Sequence, residues 1–203
     1  MTPQSNPPSG LVVVKVGGSL YDHPRLGPGL RAYLDQLDAT KVLVVAGGGG
    51  FADVVRDLDR CHRLGEGRSH DLALMATGVA GFVLKGLLDL PDDCFTGRLD
   101  WWTHQRHRVG VLLADRLLKG YEEWVAPVPH TWELTTDSIA GYAAGVATAR
   151  LVLLKSTDVP PGTPWEEAAA RGWVDAHFPA VVREHRLRVE AVNFRRWLDA
   201  FPE

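Results

Sequence analysis

The chain has 203 residues, 45% of them hydrophobic, which is enough to bury one sizeable core. Its net charge of -3 offers no general attraction to nucleic acid or to an anionic membrane, and no apolar run approaches the roughly 20 residues of a membrane span. Two distant cysteines, Cys61 and Cys94, fit no metal spacing, and with no signal-peptide pattern they point to a reducing, cytoplasmic setting.

Residues 1–9 hold three prolines and no apolar periodicity; they are expected as a disordered lead-in, with 10–203 as a single domain. A strand is expected at about 11–16, ending in Gly17-Gly18. A helix near 26–37 turns Leu30, Leu34 and Leu37 to one side. The second strand, about 41–46, runs into Gly47-Gly48-Gly49-Gly50, and a helix follows from Phe51 to about Cys61. Ser69 reads as the N-cap of a long helix over about 70–89, with Leu72, Met75, Ala76, Val79, Phe82, Val83 and Leu87 on its apolar side. Residues 91–107 read as irregular, Val109 to Leu113 as a strand, and 122–131 as a loop. A small-residue helix opens at Thr136-Asp137-Ser138 and runs to Ala149. Leu151 to Leu154 is a buried strand ending in Lys155-Ser156-Thr157-Asp158. Short helices near 165–171 and 178–185, a strand near 187–192 and a last helical turn finish the chain. Strands alternating with helices predict a three-layer α/β/α sandwich with a mostly parallel central sheet.

Ligands of such sheets collect at the carboxyl ends of the strands, where both glycine loops and residues 155–158 fall. Bare glycine loops let backbone amides approach a phosphate. Lys15 lies inside an apolar strand, and a buried lysine needs a charged ligand or a carboxylate; the plainer alternative is an edge-strand lysine reaching solvent. Asp137 reads either as part of the chemistry or as a first-turn carboxylate of its helix. Lys155 ends its strand at the same edge, and Thr157 and Asp158 are equally readable as turn residues. His70 and Arg68 could meet an anionic acceptor, and Trp101, Trp102 and His104 could cover a ring-bearing substrate or simply pack. His104 and His107 are a weak metal pair. Arg183 to Arg188 and Arg195-Arg196 read as solvated faces. Gly47, Gly49 and Ala52 satisfy G-x-G-x-x-A, which permits a dinucleotide reading with Glu66 as its acidic residue.

The segments Val14-Lys15-Val16-Gly17-Gly18-Ser19, Ala46 to Gly50, Thr136 to Ala140 and Ser156-Thr157-Asp158-Val159, in that order, resemble the amino acid kinase superfamily. Pro129 to Ala140 together with Trp173-Val174-Asp175 resembles its archaeal-type aminomethylfuran-methyl phosphate kinase branch. The resemblance implies that Lys15 contacts the transferring phosphoryl group, that Gly17, Gly18 and Ser19 hold ATP phosphates, and that Thr157 and Asp158 lie by the nucleotide. Gly47, Gly48 and Gly49 would face the acceptor. Asp137 would orient the lysines or sit near Mg²⁺. Many members carry a second lysine in a Gly-Gly-Met-x-x-Lys segment that this chain lacks, and Lys155 would supply that charge. A homodimer or higher oligomer is implied by the resemblance alone.

The expected activity is ATP-dependent transfer of a phosphoryl group to a small phosphate monoester or a carboxylate. Such an acceptor is already ionised, so no general base is required, and the chain shows no acid/base pair. Two alternatives stay open: a non-catalytic nucleotide- or anion-binding or storage protein on the same scaffold, and a dinucleotide-dependent enzyme.

Overall fold

The structure, a computed structural model, describes residues 10–102 and 104–202, apart from the side chains of Asp100 and Trp101. The lead-in expected for 1–9 lies outside the described residues. Aliphatic and β-branched runs form the centre of the molecule. β1 (Leu11–Val16) lies between β2 (Lys41–Ala46) and β5 (Arg150–Lys155). Beyond β2 come β4 (Val109–Leu112) and the two-residue β3 (Phe95–Thr96); beyond β5 comes β6 (Val189–Asn193). The order is β3-β4-β2-β1-β5-β6, and every described pair is parallel.

Each face of the sheet has its own core. Val12, Val14, Val16, Val42 and Val44 pack under α1 (Leu26–Gln36) and α9 (Phe194–Asp199). Leu11, Val13, Leu43 and Val45 pack under α5 (Ala114–Trp124), α6 (Thr136–Val146) and α8 (Phe178–His185). This is the predicted three-layer sandwich, and burying each of these side chains contributes about 1.5–3 kcal/mol. The short α4 (Leu99–Trp102) and α7 (Trp165–Ala170) lie in connections.

α2 (Gly49–His62) begins inside the glycine loop rather than after it. α3 (Glu66–Leu87) starts a turn earlier than predicted, with Gly65 at the N-cap, so Ser69 is a buried helix-interior residue and not a cap. The inward face of α3 carries Ser69, His70, Leu74, Thr77, Ala80, Gly81 and Leu84. The stripe expected to be its packed side, Leu72, Met75, Val79, Phe82 and Val83, faces outward. α5 was not predicted: its inward residues Leu117, Leu118 and Tyr121 are sparse among charges. No helix among the described residues is long and apolar enough to cross a membrane.

Candidate active site

Strand alternation places the charges. β1 turns Lys15 to the same side as Val13, toward α6. Lys15 pairs in register with Leu153 of β5, so Lys155, two residues on, projects from the same face. α6 starts opposite them with Asp137 in its first turn. Lys15 Nζ donates to Asp137 Oδ1 at 2.9 Å, and Lys155 Nζ donates to Asp137 Oδ2 at 2.9 Å. Lys15 and Asp137 are buried and Lys155 nearly so. Burial pushes the Asp137 carboxyl up, but the two lysine charges and their hydrogen bonds outweigh it and hold the group below the usual carboxylate range. The Lys155 ammonium is pushed down by burial and by the Lys15 charge, against the pull of Asp137.

A second carboxylate fixes this arrangement. Asp175 accepts from Thr135 N at 3.1 Å and Oγ1 at 2.9 Å, from Ser138 N at 2.9 Å and Oγ at 2.5 Å, and from Phe178 N at 2.9 Å. Thr135, the N-cap residue of α6, makes no side-chain cap of its own. Asp175 therefore caps α6 from a distant loop and satisfies amides that flank Asp137. Burial and the Asp137 charge raise its carboxyl, against hydrogen bonds from Ser138 and Thr135. The sequence offered Asp175 only as part of a resemblance, with no role, because its partners on α6 lie 37 to 40 residues away.

The two glycine loops meet. A Cβ on Gly18 would lie 2.2 Å from Gly49 N, and one on Gly47 would lie 2.6 Å from Gly18 N. Gly49 has φ +51°, a left-handed conformation suited to glycine. The amides of Gly18, Ser19, Gly48 and Gly49 donate to no group among the described residues, whereas Gly17 N donates to Leu154 O at 2.8 Å and Gly47 N to Val16 O at 2.9 Å. Gly17 thus has no amide left for a phosphate, contrary to expectation. The N-terminus of α2 adds its positive dipole end to the free amides.

Against these loops lies a cavity of about 290 Å³. Its lining is mixed: Lys15, Gly18, Ser19 and Gly47 to Gly49 are polar, and Ala52, Leu74, Trp132, Leu134 and Ile139 are largely apolar. Arg56 lies over the Trp132 ring, 4.8 Å from its centroid, and pairs with Asp53 at 2.6 Å. His70 lines the cavity as expected; Arg68 is exposed and does not. Both loops face this one cavity, so the expected division into a nucleotide loop and an acceptor loop is not drawn by the backbone. Lys155 is not among the residues lining the cavity; the residue after it, Ser156, has its Oγ 2.8 Å from Ser19 Oγ. Thr157 and Asp158 are exposed on the turn beyond β5.

Several readings left open narrow to the plainer one. Trp102 is fully buried, against Gly110 and under Lys41, and the tryptophan that lines the cavity is Trp132. The Trp101 side chain lies outside the described residues. His107 pairs with Asp93 at 2.9 Å. Glu66 opens a helix rather than ending a strand, so the dinucleotide reading lacks its acidic residue. Both Asp137 oxygens accept from lysines, and no group of three or more His, Cys, Asp or Glu gathers among the described residues. Asp137 is thus engaged by lysines through both oxygens and belongs to no ligand cluster that would complete a metal cage among the described residues. A larger cleft, about 510 Å³, lies at the opposite edge of the sheet beside Leu11, Arg150 and His185, away from the lysines.

The parallel sheet with helices on both faces is the fold of the amino acid kinases. It superposes on a uridylate kinase from Archaeoglobus fulgidus with a TM-score of 0.61 at 13% identity, covering 94% of this chain and 95% of that one. An aspartate kinase from Synechocystis gives a TM-score of 0.58 at 18% identity over 89% of this chain and 38% of that one. In sequence the chain is similar to [5-(aminomethyl)furan-3-yl]methyl phosphate kinase of Methanocaldococcus jannaschii, with 27% identity over 198 residues, 90% of this chain and 88% of the relative. No model of a known protein family matches the chain.

Proposed function

We propose that the chain is an ATP-dependent phosphotransferase that moves the γ-phosphoryl group onto a small phosphate monoester carrying a compact, ring-sized body. The observation that carries this reading is the Lys15–Asp137–Lys155 cluster set against two glycine loops with unused amides. The sequence relative is named for phosphorylating a furan phosphate, and the cavity lining offers both kinds of contact such a ligand needs, amides and Lys15 together with Trp132, Leu74, Leu134 and Ile139.

Phosphoryl transfer spreads charge over the equatorial oxygens of a loose transition state, so the protein's work is alignment and charge stabilisation. Lys15, lining the cavity, meets the phosphoryl group in transit. Lys155, with Ser19 and Ser156 nearby, serves the nucleotide side and supplies the charge that a second-lysine segment gives other members. Asp137 keeps both ammonium groups aimed and charged. The acceptor phosphate is ionised at neutral pH and attacks without a base. Mg²⁺ belongs to the Mg-ATP substrate, held by phosphate oxygens and water rather than by a cage of protein carboxylates.

Lys15→Ala should abolish formation of ADP and of phosphorylated product while far-UV circular dichroism is retained. Unchanged turnover would overturn the reading, and nucleotide binding without product in the wild type would favour a binding protein on the kinase scaffold. Assembly is part of the proposal. The outward stripe of α3 exposes on the order of 500 Å² of apolar side chain, toward the upper end of what the largest patch on a monomer exposes and a size often used in function. Two copies joined there would bury about 1,000 Å² from α3 alone, the threshold of a specific interface. Free Cys61 and Cys94 suit a reducing cytoplasm.

A further inference from the structure

His70 has a feature that phosphate binding does not use. The residue is 3% exposed and is one of the residues that line the cavity. Its Nδ1 lies 3.1 Å from the carbonyl oxygen of Thr131. A carbonyl only accepts, so Nδ1 carries the proton and Nε2 of the neutral ring presents a lone pair. That Nε2 is buried and has no partner among the described residues. Burial keeps the ring neutral by lowering its pKa, with the Thr131 carbonyl opposing and the neighbouring His130 adding to the shift. The His130 ring, 5.1 Å away, is itself tied to Glu122 at 2.7 Å and Asp71 at 3.6 Å, so it does not serve Nε2. An ionised phosphate offers only acceptor oxygens. It leaves the lone pair of the neutral ring unsatisfied, so a different group is needed to use it.

The geometry points to His70 as the residue that selects the body of the acceptor: Nε2 takes a hydrogen bond from an N–H or O–H group that the acceptor carries away from its phosphate. The inference rests on the kinase reading only for calling this ligand the acceptor. A buried acceptor atom left without a donor discriminates strongly against ligands that cannot supply one. Trp132 and Leu134 line the same cavity and supply apolar contact for the acceptor's framework.

The test is calorimetric titration, without ATP, of three probes: [5-(aminomethyl)furan-3-yl]methyl phosphate, its hydroxymethyl analogue and its methyl analogue. At least one donor-bearing probe should bind the wild type about 10- to 100-fold more tightly than the methyl compound, and which one does so identifies the donor. The preference should vanish in His70→Phe and return in His70→Gln, whose side-chain carbonyl accepts in place of Nε2. Equal affinity for all three probes in the wild type, no binding of any of them, or an undiminished preference in His70→Phe would overturn the inference. The wild-type comparison decides the matter even if a variant fails to fold. Failure of the kinase reading shows separately, as absence of ADP and phosphorylated product, and leaves the binding preference measurable.

Discussion

Two buried ammonium groups sharing one carboxylate make Asp137 the residue on which the site's electrostatics turn. Its partners were half legible in the sequence. A lysine inside an apolar run demands a counter-charge, and period two puts Lys15 and Lys155 on one face once their strands are adjacent. That adjacency, and the cap that Asp175 throws across to Thr135 and Ser138, are properties of the folded chain and leave no local trace. The charge state has a measurable signature. Asp137 has a folded pKa below the unfolded value of about 3.9. A carboxyl depressed on folding adds stability that is present above the unfolded pKa and is lost as pH falls through the folded one. Asp137→Asn should therefore lower stability at neutral pH by about 3 kcal/mol, because it strands two buried lysines. It should also flatten the decline in stability below about pH 4. Asp175 works in the opposite sense, since its raised pKa makes acidification favourable, but its window lies above the unfolded value and leaves the lower limb to Asp137. Urea unfolding from pH 2 to 7 reads both effects, and parallel acid limbs in the two proteins would contradict the assignment.

At the scale of elements, the glycine loops work as a pair of touching backbones. The sequence showed two runs ending in glycine and assigned them separate duties; the contact between Gly18 and Gly49 comes from strands that are neighbours in the sheet. The contact makes the glycines unequal. Gly18→Ala drives a methyl group to 2.2 Å from backbone nitrogen, an atom that cannot swing aside as a side chain can. It should cost about 3 kcal/mol and displace the amides that face the cavity, so kcat/KM should fall along with the melting temperature. Gly50 has open space around its Cβ position and sits in the first turn of α2. Gly50→Ala should leave activity unchanged and stabilise by up to about 1 kcal/mol through helix propensity. Similar losses in both variants would mean that the loops need flexibility rather than close approach. α3 was harder to read for a different reason. Its inward face is small and polar where it meets the cavity, with Ser69, His70 and Thr77, so the larger apolar stripe looked like the packed side. Hydrophobic periodicity reports that a helix has an apolar side; it does not say whether the same chain covers it.

At the scale of the whole molecule, the α/β/α architecture was legible because uninterrupted aliphatic runs belong to strands buried on both faces, as parallel sheets require. The strand order was not, because a crossover helix fixes the hand of a connection without fixing which strands become neighbours. The outward stripe of α3 is the part that one chain leaves unfinished. Met75 is 66% exposed and Phe82 is 61% exposed, while the opposite side of the helix closes the cavity through His70, Leu74 and Thr77. A helix with one face in the site and its larger apolar stripe in water points to a partner of like chemistry, and a second copy offers the same stripe in return. Sedimentation at micromolar concentration should give twice the 22.3 kDa chain mass. Paired charges from Met75→Glu and Phe82→Glu would face their own copies across such an interface, so the double variant should sediment as a monomer with its circular dichroism intact, because neither side chain belongs to the buried cores. A wild-type chain that stays monomeric at tens of micromolar, or a double variant that still dimerises, would remove α3 as the contact and leave its exposed stripe without a self-association role.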